Sequence, residues 1–491
     1  MHDSAHGLEP SRQTQEDWLR AAGRFALDHL AALETAPAVG TVGGAGNRIA
    51  AEVSVPIPEL PLDGGIERAL QILARATGAS LSTAGPGYLA YIPAGGLYAA
   101  ALADLLSNCV NRYTGIAAAA PALVRLESDV LAWLAAAFGY GPTARGLFTS
   151  GGSLANFSAI VAARHARLGD DGDFRAAVAY TSTQAHHSVR KSVRLAGIPP
   201  QNVRAVDVDA DFRIDTPALA AAVRADRERG LRPFLVVASA GTTNTGAIDP
   251  LSRLAELCAT ERLWLHVDAA YGGAFVLCNE GRRRLAGIEH ADSITFDPHK
   301  GMFLPYGTGC LLVREGEQLR RAHAAAADYL QDFDAMDRAG EPPSPAEYGP
   351  ELSRDYRGLR VWLPLMLHGA RAFREALTEK LVLAERLHAA LQRLVAAGAP
   401  LEIVAAPQLT VVPFCLRRRP GEALREWNAR SAALLHAINA RQRVYLSSTT
   451  LPVADGLAFT LRACVLSFRT HAQHVDACVE DIEHALGEVG A

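Results

Sequence analysis

The sequence predicts an α/β protein built on a mostly parallel sheet with helices on both faces. Three observations predict it. Between about residue 121 and 315, short β-rich runs alternate with stretches of helical period. Those runs are almost continuously apolar, as strands buried on both faces must be. Strand and helix also follow one another in regular order, the pattern of a parallel sheet with crossover helices.

The strand candidates are GLFTS (146–150), AAVAYT (176–181), VRAVDVD (203–209), FLVVASA (234–240), LWLHVD (263–268), SITFD (293–297) and CLLVR (310–314). Helical periods fall between several of them, at 153–168, 186–197, 216–228 and 251–261. Ahead of this region, residues 15–33 carry apolar positions at helical spacing and predict a docking helix. The Gly- and Pro-rich tract 37–61 reads as a loop, and helices are expected near 66–78 and 97–108. Residues 333–352, FDAMDRAGEPPSPAEYGPEL, show neither period, as a loop over an active site would. A helix over 357–394 and a smaller α+β unit complete the chain. The expected organisation is an N-terminal helical and extended segment (1–95), a large domain (96–365) and a small C-terminal domain (366–491).

Composition narrows the function classes. With 491 residues, 48 Lys plus Arg against 52 Asp plus Glu, and no basic tract, nothing points to nucleic acid or a lipid surface. The seven cysteines are scattered without a CxxC pair, which suits reduced thiols and neither a disulfide framework nor a metal site. No apolar run approaches a membrane span and the N-terminus lacks a signal-like core, so a cytoplasmic protein is expected.

Four tracts at expected strand ends carry chemistry. In FTSGGSLANFSAIVAAR (148–164) a strand meets two glycines and Ser153 opens a helix, a receptor for a phosphate or simply a capped turn. In YTSTQAHHSVRKSVRLAG (180–197) a histidine pair starts a helix, either as a cap or as a flat surface for stacking. In LWLHVDAAYGGAF (263–275) an apolar strand delivers Asp268 to its carboxyl end, where a carboxylate needs a cationic partner such as an arginine or a protonated pyridine. In DSITFDPHKGMFLPYGTGC (292–310), Lys300 follows a strand and a turn where burial favours the neutral amine that imine chemistry needs. A phosphate cradle, a flat ring, a pyridinium partner and an imine-forming lysine in one sheet together describe pyridoxal 5′-phosphate.

From about residue 15 to 480 the chain resembles the group II pyridoxal-phosphate-dependent amino-acid decarboxylases, the family of aromatic-L-amino-acid decarboxylase. The markers are TSGGSLAN, STQAHHSV, SAGTTNTGAID, LHVDAAYGG and DPHKGMFLPYGTG, in family order and spacing. The resemblance implies a fold-type I enzyme with a seven-stranded, mostly parallel sheet, acting as a homodimer on a small-molecule amino-acid substrate. It implies that Lys300 forms the internal aldimine, that Asp268 holds the pyridine nitrogen protonated, and that His186 rather than His187 stacks on the ring. Gly152 and Ser153 would cradle the phosphate with Asp297 and His299 near the turn, while Thr243 and Ala270 would line the ring. Asp297 departs from the uncharged residue frequent in the family, and its charge requires compensation by His299 or an arginine.

The resemblance implies decarboxylation of an L-amino acid, most readily an aromatic one, to the amine and CO2 through a quinonoid. The family returns the proton from a loop tyrosine, for which Tyr348 is the candidate, with His186 as the alternative. Tyr88, Tyr91 and Ile92 in AGPGYLAYIP match a tract lining the side-chain pocket. Two other outcomes remain open: decarboxylation coupled to oxidative deamination, giving an aldehyde, and a non-enzymatic scaffold of the same fold. No metal is expected.

Overall fold

A computed structural model of the chain describes residues 8–170, 173–324 and 343–489. The central sheet contains β1 (Arg145–Thr149), β2 (Ala177–Ser182), β3 (Val203–Val206), β4 (Arg232–Ser239), β5 (Trp264–Ala269), β6 (Ser293–Phe296) and β7 (Gly309–Val313). Their order is β1-β7-β6-β5-β4-β2-β3. Strands β3, β2, β4, β5 and β6 are parallel, whereas β7 runs antiparallel to both β6 and β1. The seven apolar runs picked out by sequence are these seven strands.

Period two divides the sheet's side chains between two cores. Val236, Ala238, Leu265, Val267, Ile294 and Leu312 share one cluster with residues of flanking helices. Those helices are α5 (Pro121–Ala137), α8 (Thr216–Glu228) and α9 (Leu251–Thr260). Leu235, Val237, Trp264, Leu311 and Val313 point the other way, into a cluster with α6 (Gly152–Leu168), α7 (His187–Leu195) and α12 (Gly316–His323). The short helices α10 (Asn279–Arg284) and α11 (Pro298–Gly301) lie around β6.

Before the sheet come α1 (Arg12–Ala32), α2 (Gly43–Val53), α3 (Gly65–Gly78) and α4 (Tyr98–Val110). Helix α2 falls inside the tract expected to be a loop. Its glycines gather at its start, and Arg48 to Val53 carry no breaker. Gly46 sits so close to the Thr41 carbonyl that a Cβ would come within 2.7 Å of it. Gly46 thus serves close packing, whereas Gly43, with a φ of 67°, and Gly44 stand in open space at the turn into the helix.

The small antiparallel sheet has the order β10-β11-β9-β8, from β8 (Leu401–Ile403), β9 (Val411–Leu416), β10 (Ser447–Val453) and β11 (Gly456–Cys464). It packs on α13 (Gly358–Ala396), α14 (Leu424–Ala440) and α15 (Ala472–Glu488). Helix α13 is interrupted at Gly369, whose φ of 70° and ψ of 155° break the helical path. Val361 and Leu365, before the break, join the large core, while Leu383, Leu387 and Leu391, after it, join the small one. Leu89 also belongs to the small core, and its backbone pairs with Tyr445 and Cys464. Among the described residues, no helix is long and apolar enough to cross a membrane.

Candidate active site

Parallel strands place their carboxyl ends, and the loops that follow, on one edge of the sheet, where ligands of such folds bind. A cavity of about 310 Å³ opens there. Its wall draws on the β1–α6 turn (Ser150–Ser153), the start of α7 (His186, Ser188), the segment after β4 (Gly241–Thr243), the end of β5 (Asp268, Ala270) and the turn after β6 (Asp297, His299, Lys300). This volume is that of a pocket for one small molecule.

At one end, Gly151 and Gly152 lead into α6, and the first N–H groups of a helix lack intrahelical partners. A Cβ on Gly152 would lie 3.0 Å from Asp297 Oδ2 and 3.1 Å from Ala270 Cβ, so any side chain here would have to push those neighbours back. With its positive helix terminus the turn is an anion cradle.

At the other side, Asp268 is only 8% exposed. Its Oδ2 accepts from Asn156 Nδ2 at 2.9 Å, and its Oδ1 accepts from the Ala270 N–H at 3.2 Å. A carboxylate has about four acceptor positions. Asp268 makes no ion pair among the described residues, so its charge lacks a cation.

Lys300 Nζ lies 3.0 Å from Asp297 Oδ2, and its side chain keeps 23% exposure. The neutral, enclosed amine expected from sequence is therefore an ion-paired one here, and Lys300 must leave Asp297 before it acts as a nucleophile. Asp297 is buried beneath the cradle, with Oδ1 lacking a hydrogen-bond partner. Among the described residues the Lys300 ammonium is the group that meets its charge, while His299 Nε2 lies 3.7 Å from Asp297 Oδ2. His299 Nδ1 is 2.7 Å from the Thr308 carbonyl, which only accepts, so Nδ1 carries a proton. Burial lowers the His299 pKa despite Asp297 nearby, favouring an imidazole whose Nε2 is free to accept.

His186 caps α7: its Nδ1 accepts from the Ser188 N–H at 3.3 Å and lies 2.7 Å from Ser188 Oγ. Burial lowers its pKa, with Asp268 opposing. His187, its neighbour, is exposed and does not line the cavity.

The cavity thus brings together Gly152, Ser153, His186, Thr243, Asp268, Ala270, Asp297, His299 and Lys300. It does not include Tyr348, Tyr88, Tyr91 or Ile92. Tyr348 ends a short turn, Pro345–Tyr348, and is buried in the apolar cluster with Leu147 and Leu319, lining a separate cavity with Arg145. Its apolar ring is held by that packing, and the remainder of the expected loop, up to residue 342, lies outside the described residues. Tyr88 is 3% exposed and stacks on Tyr445 at 5.8 Å between centroids. Tyr91 is largely exposed, and Ile92 is buried in the large core. Asn156 and Ser188 were not anticipated as site residues. The signal available was spacing: Asn156 lies four residues after Gly152, on the same face of α6.

The fold and this set of groups define a pyridoxal-phosphate enzyme. The family described as "Pyridoxal-dependent decarboxylase conserved domain" matches residues 59–417. The chain is 35% identical over 406 residues to an aromatic-L-amino-acid decarboxylase of Bacillus atrophaeus, covering 82% of each. It is 31% identical over 412 residues to a phenylacetaldehyde synthase of Petunia hybrida, covering 80% of this chain and 78% of that one. The solved structure of Oryza sativa TDC with PLP and tryptamine superposes with a TM-score of 0.89 at 25% identity, over 98% of this chain and 99% of the other. The chain belongs to the pyridoxal-dependent decarboxylase family; it is a carboxy-lyase acting on an amino acid with pyridoxal 5′-phosphate. The cavity fits that cofactor: the Gly152 cradle takes an anion, Asp268 lacks a cation, and Lys300 opens onto the same space.

Proposed function

We propose that the substrate is an aromatic L-amino acid, released as its amine and CO2, and that Lys300, Asp268 and His186 carry the chemistry. The observation that carries the residue roles is that Lys300 and Asp268 line one cavity with a glycine cradle between them and the sheet edge. The aromatic substrate is supported by the relatedness to the aromatic-L-amino-acid decarboxylase.

When bound, the cofactor supplies an aldehyde for capture of the substrate amine and a ring that draws electrons from the bond being cut. The residues of the chain do the rest. Asp268 would accept a hydrogen bond from the ring nitrogen's N–H and so favour its charged form. Lys300 is the amine that would hold the cofactor's aldehyde carbon. His186 presents a flat ring, and because Ser188 holds Nδ1, its Nε2 is the atom that can hold or return a proton. Gly152 and Ser153 would take the phosphate, with Asp297 and His299 beside it, and Thr243 and Ala270 would confine the ring. Residues that held the bond to the carboxylate across the ring plane and kept water out would direct the reaction toward loss of CO2.

The test is product analysis with the twenty amino acids plus dopa, 5-hydroxytryptophan and diaminobutyrate. Expected is CO2 in step with amine from an aromatic substrate; turnover confined to diaminobutyrate would overturn the substrate class. A second reading, oxidative deamination to an aldehyde, is favoured by one observation: Tyr348, the candidate amine-favouring proton donor, packs away from the cavity. Ammonia and peroxide in step with CO2 would establish it.

A homodimer and a cytoplasmic location complete the proposal. Free, mostly buried cysteines suit a reducing compartment, and the exposed Trp18, Leu19 and Leu27 on α1 suit a covered surface. Sedimentation at micromolar concentration tests the dimer.

A further inference from the structure

Strand β5 places Trp264, His266 and Asp268 on one face, alternating with Leu265, Val267 and Ala269 on the other. On that face α6 supplies Asn156, and β6 supplies Ser293 and Thr295, in register with His266 and Asp268 respectively. These are among the most enclosed polar groups of the protein: His266, Ser293 and Thr295 have no exposure, and Asn156 has 1%.

A continuous chain of hydrogen bonds runs through them. Trp264 Nε1 donates to Ser293 Oγ at 2.8 Å. Ser293 Oγ lies 2.8 Å from His266 Nδ1, and His266 Nε2 lies 2.9 Å from Asn156 Oδ1. Asn156 Nδ2 donates to Asp268 Oδ2 at 2.9 Å, and is 3.3 Å from Ser188 Oγ.

Donor and acceptor chemistry orients every link. The Asp268 carboxylate accepts, so the nitrogen of Asn156 faces it and the amide oxygen faces His266. That oxygen accepts, so His266 carries its proton on Nε2. Burial pushes the His266 imidazole down to about 4, against the pull of Asp268, so the ring is neutral and Nδ1 accepts from the Ser293 hydroxyl. The Ser293 oxygen is left to accept from the indole. Asn156 then has one acceptor and two donors all committed, the second donor to Ser188, whose own oxygen contacts His186. One amide therefore reaches both Asp268 and His186, the two groups assigned to the cofactor ring.

We propose that His266, acting through Asn156 and backed by Ser293 and Trp264, is a positioning residue that holds Asp268 oriented toward the cofactor's ring nitrogen. The relay thereby sets how firmly that nitrogen keeps its proton. This rests on the assignment of Asp268 given above. His266 touches no cofactor or substrate atom; it acts at two removes. The charged group facing it is Asp268 on its own strand, while β6 presents Ser293 and Thr295, and α6 presents Asn156.

The test compares His266→Phe, which fills the space but cannot donate, with His266→Gln, whose amide can. Three measurements are made on each: melting temperature, pyridoxal-phosphate affinity by titration, and the pH dependence of the bound cofactor's visible absorbance. His266→Phe is expected to weaken cofactor affinity about 10- to 100-fold, the size of outer-shell effects at metal sites, and to shift the absorbance titration. His266→Gln is expected to restore most of both. Ser293→Ala, a smaller change, should move the same readouts in the same direction. Nitrogen NMR of the wild-type protein without cofactor should show His266 as the Nε2–H tautomer, not titrating between about pH 5 and 8. A Nδ1–H tautomer, or affinity and titration unchanged in His266→Phe, or Phe and Gln variants equally impaired, would overturn the relay. Asp268→Asn separates the two readings: if it alters affinity and titration while His266→Phe does not, only the relay fails. If neither variant alters them, the Asp268 assignment fails with it.

Discussion

Two buried aspartates on opposite sides of the same sheet show how a structural carboxylate differs from one awaiting a ligand. Asp226, on α8, is 2% exposed and fully met: Arg204 donates to both its oxygens at 2.7 and 2.9 Å, and Tyr180 adds its hydroxyl at 2.8 Å. Asp268, at the end of β5, is nearly as enclosed, yet receives only an amide and a backbone N–H and faces a cavity. A buried carboxylate without a cation is unfavourable unless something charged arrives. Asp226 therefore contributes to the fold, and Asp268 to a site completed by a ligand.

The largest effect that can break this contrast lies on the ligand side. Lys300→Ala should abolish the visible band of bound cofactor and lower CO2 release per folded molecule by on the order of 10⁴- to 10⁶-fold, the scale of removing a covalent nucleophile. It should also lower the melting temperature of the cofactor-free protein, because buried Asp297 loses its ammonium partner. Asp268→Asn should cost roughly 10²- to 10³-fold in kcat, the scale of losing one charge-stabilising group. Near-normal turnover in either, measured as released CO2, contradicts the site.

On the structural side the readout should invert. Arg204→Ala should destabilise the fold by about 3 kcal/mol in urea titration, the low end for breaking a buried pair, because Arg204 is 28% exposed. Turnover per folded molecule should be unchanged. The pH dependence sharpens the point. Burial alone would raise the pKa of Asp226, but hydrogen bonds from Arg204 and Tyr180 outweigh it and leave it below the usual carboxylate range. Its stabilising contribution is therefore complete above the unfolded value of about 3.9 and is lost as pH falls through the lower folded value. The melting-temperature gap between wild type and Asp226→Asn should be full at neutral pH and close only in acid. Tyr348→Phe should have the smallest effect: with the ring packed against Leu147, the ratio of amine to aldehyde should not move.

The strands were legible because a parallel sheet demands continuous apolar runs, and most of the residues around the cavity were legible because they end a strand or open a helix. Thr243, in the turn after β4, came only from the family resemblance. What escaped the sequence reading did so for physical reasons. Helix α2 hid behind Gly43, Gly44 and Gly46, which signal a loop although Gly46 serves close packing. Helix α5 begins with Pro121 at its first turn, and its small apolar residues show no break in period to announce it. Asn156 is a neutral amide in mid-helix, where its commonest neighbours are water, and only the fold brings it to Asp268. Tyr348 and the Tyr88 tract lie outside this cavity, and sequence alone could not place them. Aromatic rings match a pocket and a core equally well, and here Tyr88 and Ile92 are buried in cores while Tyr91 faces outward.

Borohydride reduction of the cofactor-loaded protein, followed by mass mapping of the labelled peptide, tests the central claim most directly. The chain has three lysines, Lys191, Lys300 and Lys380. Lys191 is exposed on α7, and Lys380 is buried beside Glu379 and the Thr470 carbonyl. The account predicts a single pyridoxyl group, on Lys300, and none in Lys300→Ala. A label on Lys191 or Lys380, or no label at all on a protein that still releases CO2, would contradict it.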